Sequence, residues 1–184
     1  MIKMIKPLHV IDIFLRPGDH YFTDRKNTRI RTLLGSCVSI TFWHPRLLIG
    51  GMCHYMLPER GNELRGEDWH APDGRYADEA VALLLKKIDE VGAPHKEYQV
   101  KVFGGGNMFP HTHYKNTPSQ IGNRNVKAAL RLIKQHGFTP HVAEHMGGIG
   151  YRNVIFEVWS GEVWVKHGHV RPLDEHEPIS RRLG

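Results

Sequence analysis

The residues best suited to covalent chemistry are two cysteines, Cys37 and Cys53, and the histidine beside the second of them, His54. A free thiol ionises near pH 8.5, so at neutral pH it needs a neighbouring base to become a nucleophile. An imidazole can take that proton and later return it to a leaving amine. The pattern brings the groups together if residues 36–43 and 47–54 are the arms of a hairpin turning on Pro45-Arg46. A two-residue turn there sets Cys37 directly opposite His54, with their side chains on one face. Cys53 then points to the other face and reads as a core residue. A register slip of one residue would instead set Cys37 opposite Cys53, as a disulfide or a simple buried pair. Gly35-Ser36 provides a close-approach backbone, and the amide of Cys37 with a neighbour could form an oxyanion hole. The competing reading is that both cysteines are buried and inert, as free cysteines commonly are.

A second chemistry is metal binding. The chain holds 14 histidines. His111 and His113 form an H-x-H pair, and His141, His145, His167 and His169 are further donors. No cysteine or carboxylate pattern completes a set, so surface histidines are expected, with no metal and no organic cofactor.

Strand patterns cover 8–15, ended by Pro17-Gly18-Asp19, and then 29–43, apolar and β-branched with one internal Gly35, with 47–56 as the returning strand. Residues 57–75 are a polar loop holding Trp69, a candidate substrate contact. Ala77, Ala80, Val81, Leu84, Leu85, Ile88 and Val91 then recur at helical spacing, with Asp73 or Asp78 near the start and Gly92 at the end. A strand at 98–103 runs into Gly104-Gly105-Gly106. The Gly run is either a turn with unusual dihedrals or a site of close substrate approach. A second helix presents Val126, Ala129, Leu130 and Ile133 and stops at Gly137. Strands at 140–145, 152–159 and 162–167 follow, with a turn at Ser160-Gly161, and Trp159 and Trp164 read as packing residues. Six or seven strands and two helices predict an α+β fold, a layered sandwich of mixed, largely antiparallel sheets with the two helices packed against them. Residues 1–167 are expected to form one domain and 168–184 a polar tail.

The 184 residues are 40% hydrophobic and 24% charged, as in an ordinary globular chain, which excludes disorder throughout. No apolar run is long enough to cross a bilayer, no signal-peptide pattern opens the chain, and two cysteines suit a reducing compartment. Cytoplasmic localisation is therefore expected, without membrane insertion. The net charge of +6 is scattered rather than clustered. It permits nucleic acid and equally an acidic protein partner; with no zinc-finger or RNA-binding signature, nucleic-acid binding is not expected.

Several segments together are similar to one family: TLLGSCVSI at 32–40, GGMCHYMLP at 50–58, RYADEAV at 75–81, VFGGGNMF at 102–109, IGNRNV at 121–126 and Gly147-Gly148. Their order resembles the CheD family of chemoreceptor glutamine deamidases. The resemblance implies a cysteine hydrolase with a layered fold akin to the deamidating cytotoxic necrotizing toxins, acting without a cofactor. It implies hydrolysis of receptor glutamine side chains to glutamate, with the cytoplasmic helical domains of chemoreceptors as protein substrate. It implies Cys37 as nucleophile, His54 as base and Thr32 as the third, orienting residue. Thr32 stands five positions before Cys37, whereas one version of the motif has six, where this chain has Arg31. On an unbroken strand those offsets face opposite ways unless Gly35 carries a bulge. The loops at 57–75 and 104–118 are expected to form the rim of the site. The alternative is a non-catalytic regulatory partner of a CheC-type phosphatase.

Overall fold

The computed structural model describes residues 6–61, 71–108, 118–142 and 145–168. Their strands are β1 (Ile11–Phe14), β2 (His20–Thr23), β3 (Thr28–Leu34), β4 (Val38–His44), β5 (Ile49–Tyr55), β6 (Gln99–Gly104), β7 (Pro140–Val142), β8 (Tyr151–Glu157) and β9 (Val163–Gly168). The α-helices are α1 (Ala77–Val91) and α2 (Pro118–Gln135). One sheet has the order β1-β3-β8-β9 and the other β2-β5-β4-β6-β7. The pairs β1–β3 and β6–β7 are parallel and the rest antiparallel, so the predicted α+β sandwich is the observed one.

Strand alternation explains the layers. Val38, Ile40 and Phe42 of β4, Cys53 and Tyr55 of β5, and Val100 and Val102 of β6 meet the apolar faces of both helices. The other parity of the same strands, with Trp43, Met52 and Phe103, meets Ile30 and Leu34 of β3 and Val154 and Phe156 of β8. The order of layers is helices, five-stranded sheet, four-stranded sheet. Leu84 and Ile88 of α1 are wholly buried. Truncating either to Ala would cost about 2–5 kcal/mol.

α1 runs over the predicted span and ends at Gly92 in the left-handed conformation, φ 73°. Neither Asp73 nor Asp78 caps it by a side-chain bond; Tyr76 is the N-cap, while Asp78 and Glu79 place negative charge in the first turn. α2 buries Ala128, Ala129, Leu132 and Ile133, one step round from the predicted stripe, together with Asn125. Nine strands among the described residues replace the expected six or seven. Most of the difference is β2, whose four residues carry no strong alternation, and the division of 29–43 into β3 and β4. Trp159 is buried as expected, but Trp164 is 57% exposed on the outer sheet face and is not a packing residue.

The hairpin register also differs from expectation. Ser39, not Cys37, lies opposite His54, and Ile40 lies opposite Cys53. The connection is the four residues 45–48, closed by Leu48 N–H donating to His44 C=O at 2.9 Å, with Leu48 in the left-handed region at φ 55°. Proline decides this. The favoured two-residue hairpin turns need positive φ at their first residue, which the Pro45 ring forbids, whereas a longer loop built on an ordinary type I turn accepts it. The shift is by two residues, so it preserves parity: each side chain keeps its predicted face.

Candidate active site

Gly35, Ser36 and Cys37 form the step by which the chain leaves the four-stranded sheet at Leu34 and enters the five-stranded sheet at Val38. Three consecutive carbonyls of this step are held. Gly106 N–H donates to Gly35 C=O at 2.8 Å, Asn125 Nδ2 to Ser36 C=O at 3.0 Å, and Gly105 N–H to Cys37 C=O at 2.8 Å. The Gly run is therefore a structural turn. Gly104 and Gly105 take φ of 108° and 69°, and a Cβ on Gly104 would stand 2.3 Å from the Cys37 carbonyl oxygen. Cys37 stands just before β4 and packs half-buried against the inter-sheet cluster, while two residues on, Ser39 lies opposite His54 in the β4–β5 register.

His54 arrives on the same face from β5. Its backbone is bonded on both sides by the segment after β1: Gly18 N–H donates to His54 C=O at 2.7 Å, and His54 N–H donates to Asp19 C=O at 2.9 Å. The ring is 2% exposed. Thr32 of β3 enters from the opposite sheet, with Oγ1 2.7 Å from His54 Nδ1 and 2.9 Å from the Leu15 carbonyl oxygen. The Leu15 carbonyl can only accept, so the single Thr32 hydroxyl proton goes there, and Nδ1 must carry the proton donated to Thr32 Oγ1. That fixes the tautomer: Nε2 is left with a bare lone pair, and it is buried without a hydrogen-bond partner.

Desolvation depresses the His54 pKa below the ordinary imidazole value, opposed by the Leu15 backbone and the charge of Asp19. Desolvation raises the Cys37 thiol, opposed by its own backbone N–H. At rest, near neutral pH, the two groups are a thiol and a neutral imidazole. Cys53 is fully buried on the helix side, its thiol pushed up to about 12 by desolvation, and both cysteines are free.

The chain changes sheet between the positions five and six before Cys37 and Cys37 itself. Thr32 and Cys37 are not on one strand, so strand parity does not relate them. Thr32 is buried between the sheets and Arg31 is on the outer face. Of the rim, Arg60 and the Asp73 N–H both donate to Glu79 Oε2, at 2.8 and 2.6 Å, which ties the two ends of the loop between them. Trp69, His111, His113 and His169 lie outside the described residues, as does the side chain of His141. His145 and His167 approach to 3.4 Å between ring nitrogens, but no group of three metal-ligating side chains occurs among the described residues. The sequence reading missed Leu15, Asp19 and Asn125. Asn125 lies within the IGNRNV segment, and the only sign of it was a polar residue near the apolar stripe of a helix.

A thiol, an imidazole and a hydroxyl bonded to it, on an α/β/β sandwich, are the groups that cysteine-dependent amide hydrolases use. Comparisons give the particular family. A family model described as CheD chemotactic sensory transduction matches residues 56–167. Over 174 residues the chain is 47% identical to the "Probable chemoreceptor glutamine deamidase CheD" of Pseudomonas fluorescens (strain SBW25), covering 94% of this chain and 93% of that one. It is 39% identical over 170 residues to a "Probable chemoreceptor glutamine deamidase CheD 1" of Leptospira interrogans, covering 89% of this chain and 96% of that one. Among solved structures it is similar to the Bacillus licheniformis hypothetical protein YfiH, at 15% identity and TM-score 0.40 over 72% of this chain and 50% of that one. The chain belongs to the CheD family. Among the described residues no helix is long and apolar enough to cross a membrane.

Proposed function

We propose that this protein deamidates glutamine side chains of chemoreceptors, with Cys37 as nucleophile, His54 as base and Thr32 as the residue that orients it. The observation that carries the roles is the relay Leu15 C=O, Thr32 Oγ1, His54 Nδ1–H, which leaves Nε2 open on the face that Cys37 shares. The substrate follows from the names of the relatives.

Nε2 takes the thiol proton as Cys37 Sγ bonds to the carboxamide carbon. The tetrahedral oxyanion is met by backbone N–H, that of Cys37 among them. The imidazolium gives its proton to the departing nitrogen, the C–N bond breaks, and ammonia leaves. His54 then takes a proton from water as its oxygen attacks the thioester. The C–S bond breaks, the thiol is restored, and the side chain is now glutamate. Overall, one amide and one water become one carboxylate and one ammonium ion.

Mass spectrometry of a chemoreceptor cytoplasmic fragment tests this. Each event replaces NH2 by OH and adds about one mass unit. The shift is expected with the intact protein and not with Cys37→Ala. Full activity in Cys37→Ala would overturn the mechanism. No shift with any receptor of the same cell would favour a binding role instead.

A further inference from the structure

Asn125 is wholly buried in the middle of α2, on the face that otherwise packs Ala128, Ala129, Leu132 and Ile133. An apolar residue would serve that helix better, since Asn is a poorer helix former than Ala and carries polar atoms that need partners. Its amide donates twice: to Ser36 C=O at 3.0 Å and to Met56 C=O at 2.7 Å. Its own carbonyl accepts from Tyr55 Oη at 2.7 Å. Its side-chain Oδ1 is buried with no partner. One residue thus grips the chain immediately before Cys37 and the chain immediately after His54.

We propose that Asn125 is a positioning residue for the reaction, a role that rests on the hydrolase reading above. The peptide between Ser36 and Cys37 is planar, and in the trans form its C=O and N–H point in opposite directions. The described residues contain no cis peptide. Holding Ser36 C=O toward α2 therefore aims the Cys37 N–H away from α2, and this N–H is the donor assigned to the oxyanion. The bond to Met56 C=O fixes the end of β5 relative to the same point. Asn125 sets the spacing of nucleophile, base and oxyanion donor without touching the substrate. The unsatisfied Oδ1 is what a packing role would have removed by substitution and a donor role must tolerate.

The test compares wild type, Asn125→Ala and Asn125→Ser, reading kcat and KM on a receptor fragment, melting temperature, and the pH profile of Cys37 alkylation by iodoacetamide. Asn125→Ala is expected to lower kcat about 10²-fold, the scale of a misplaced reacting group, with KM little changed and the alkylation profile shifted. Asn125→Ser retains one donor and should fall between. A folded Asn125→Ala with wild-type kcat overturns the proposal. Failure of both variants to fold also overturns it, in favour of a purely structural residue. An inactive wild type, or an active Cys37→Ala, removes the hydrolase reading itself; an active wild type beside an unaffected Asn125→Ala removes only the role of Asn125.

Discussion

One cysteine lies on each side of the five-stranded sheet. On the helix side Cys53 is surrounded by Ile40, Tyr55, Val100 and the apolar stripes of α1 and α2, with its sulfur 3.9 Å from the Ile40 carbonyl oxygen. On the other side Cys37 stands where the chain passes between sheets, half-buried, with His54 on its face and Thr32 coming from across the gap. The residues are of one type and both thiols are raised by desolvation. What separates them is parity: Cys53 and His54 are neighbours in sequence and cannot meet, because successive side chains of a strand point to opposite faces. The difference in surroundings is made by the gap between two sheets, which admits polar groups from both.

The largest effect that would sharpen this contrast is the pair Cys37→Ala and Cys53→Ala. The first is expected to abolish deamidation, and the second to leave kcat nearly intact while lowering the melting temperature through a small cavity worth about 1–2 kcal/mol. Equal losses of activity, measured by receptor mass shift, would break it. His54→Ala should come next, lowering kcat by about 10²–10⁴-fold, the usual worth of general acid–base catalysis, in a protein that still melts cooperatively.

Much of this was legible in the sequence, and the exceptions have physical causes. Parity depends only on odd and even positions, so the faces of Cys37, Cys53 and His54 survived an incorrect turn. Register depends on the turn, and the Pro45 ring excludes the positive φ that a two-residue hairpin needs. Helix α1 was plain because seven apolar residues repeat at one spacing. The division at Gly35 into strands of different sheets was not, because two buried strands in succession look like one long one. The parts of the site missed altogether are contacts made by backbone, as at Leu15 and Asp19, or by a lone polar residue inside a helix, as at Asn125. Backbone acceptors have no side-chain signature.

Removing only the link between the sheets should have a smaller effect. Thr32→Val keeps the shape of the side chain and removes the oxygen, so Nδ1 loses its Thr32 acceptor and keeps only the Leu15 backbone. A fall in kcat of about 10–10²-fold is expected, the scale of lost orientation, with Thr32→Ser restoring most of it. Unchanged kcat in Thr32→Val would leave His54 oriented by packing alone. The same desolvation predicts the pH profile. With the His54 pKa depressed, the base form persists below pH 6.5, so the acid limb of kcat/KM should fall below that value. An acid limb above pH 7 would mean that His54 is held as imidazolium, beside a thiolate.

The smallest expected effect concerns stability, and it involves both faces again. His20 on β2 lies opposite Cys53, half-buried, and its pKa is lowered by desolvation, against the charge of Asp19 and with that of Lys87. His54 is lowered for the same first reason on the other face. Above pH 6.5 both are neutral whether the chain is folded or unfolded, so neither makes stability depend on pH there. As pH falls below 6.5 the unfolded chain takes up protons that the folded one still refuses, and stability declines until the depressed folded pKa values are passed. This window is distinct from that of Asp73, whose carboxyl is held low chiefly by its hydrogen bond to Arg75, and which would act only below about pH 4. Urea midpoints measured between pH 7 and pH 5 should therefore fall, and fall less in His54→Gln and in His20→Gln. The reduction should be larger for His54, the more deeply buried of the two. A slope that neither substitution changes would place the proton uptake elsewhere, and an equal change would mean that the two faces desolvate an imidazole to the same degree.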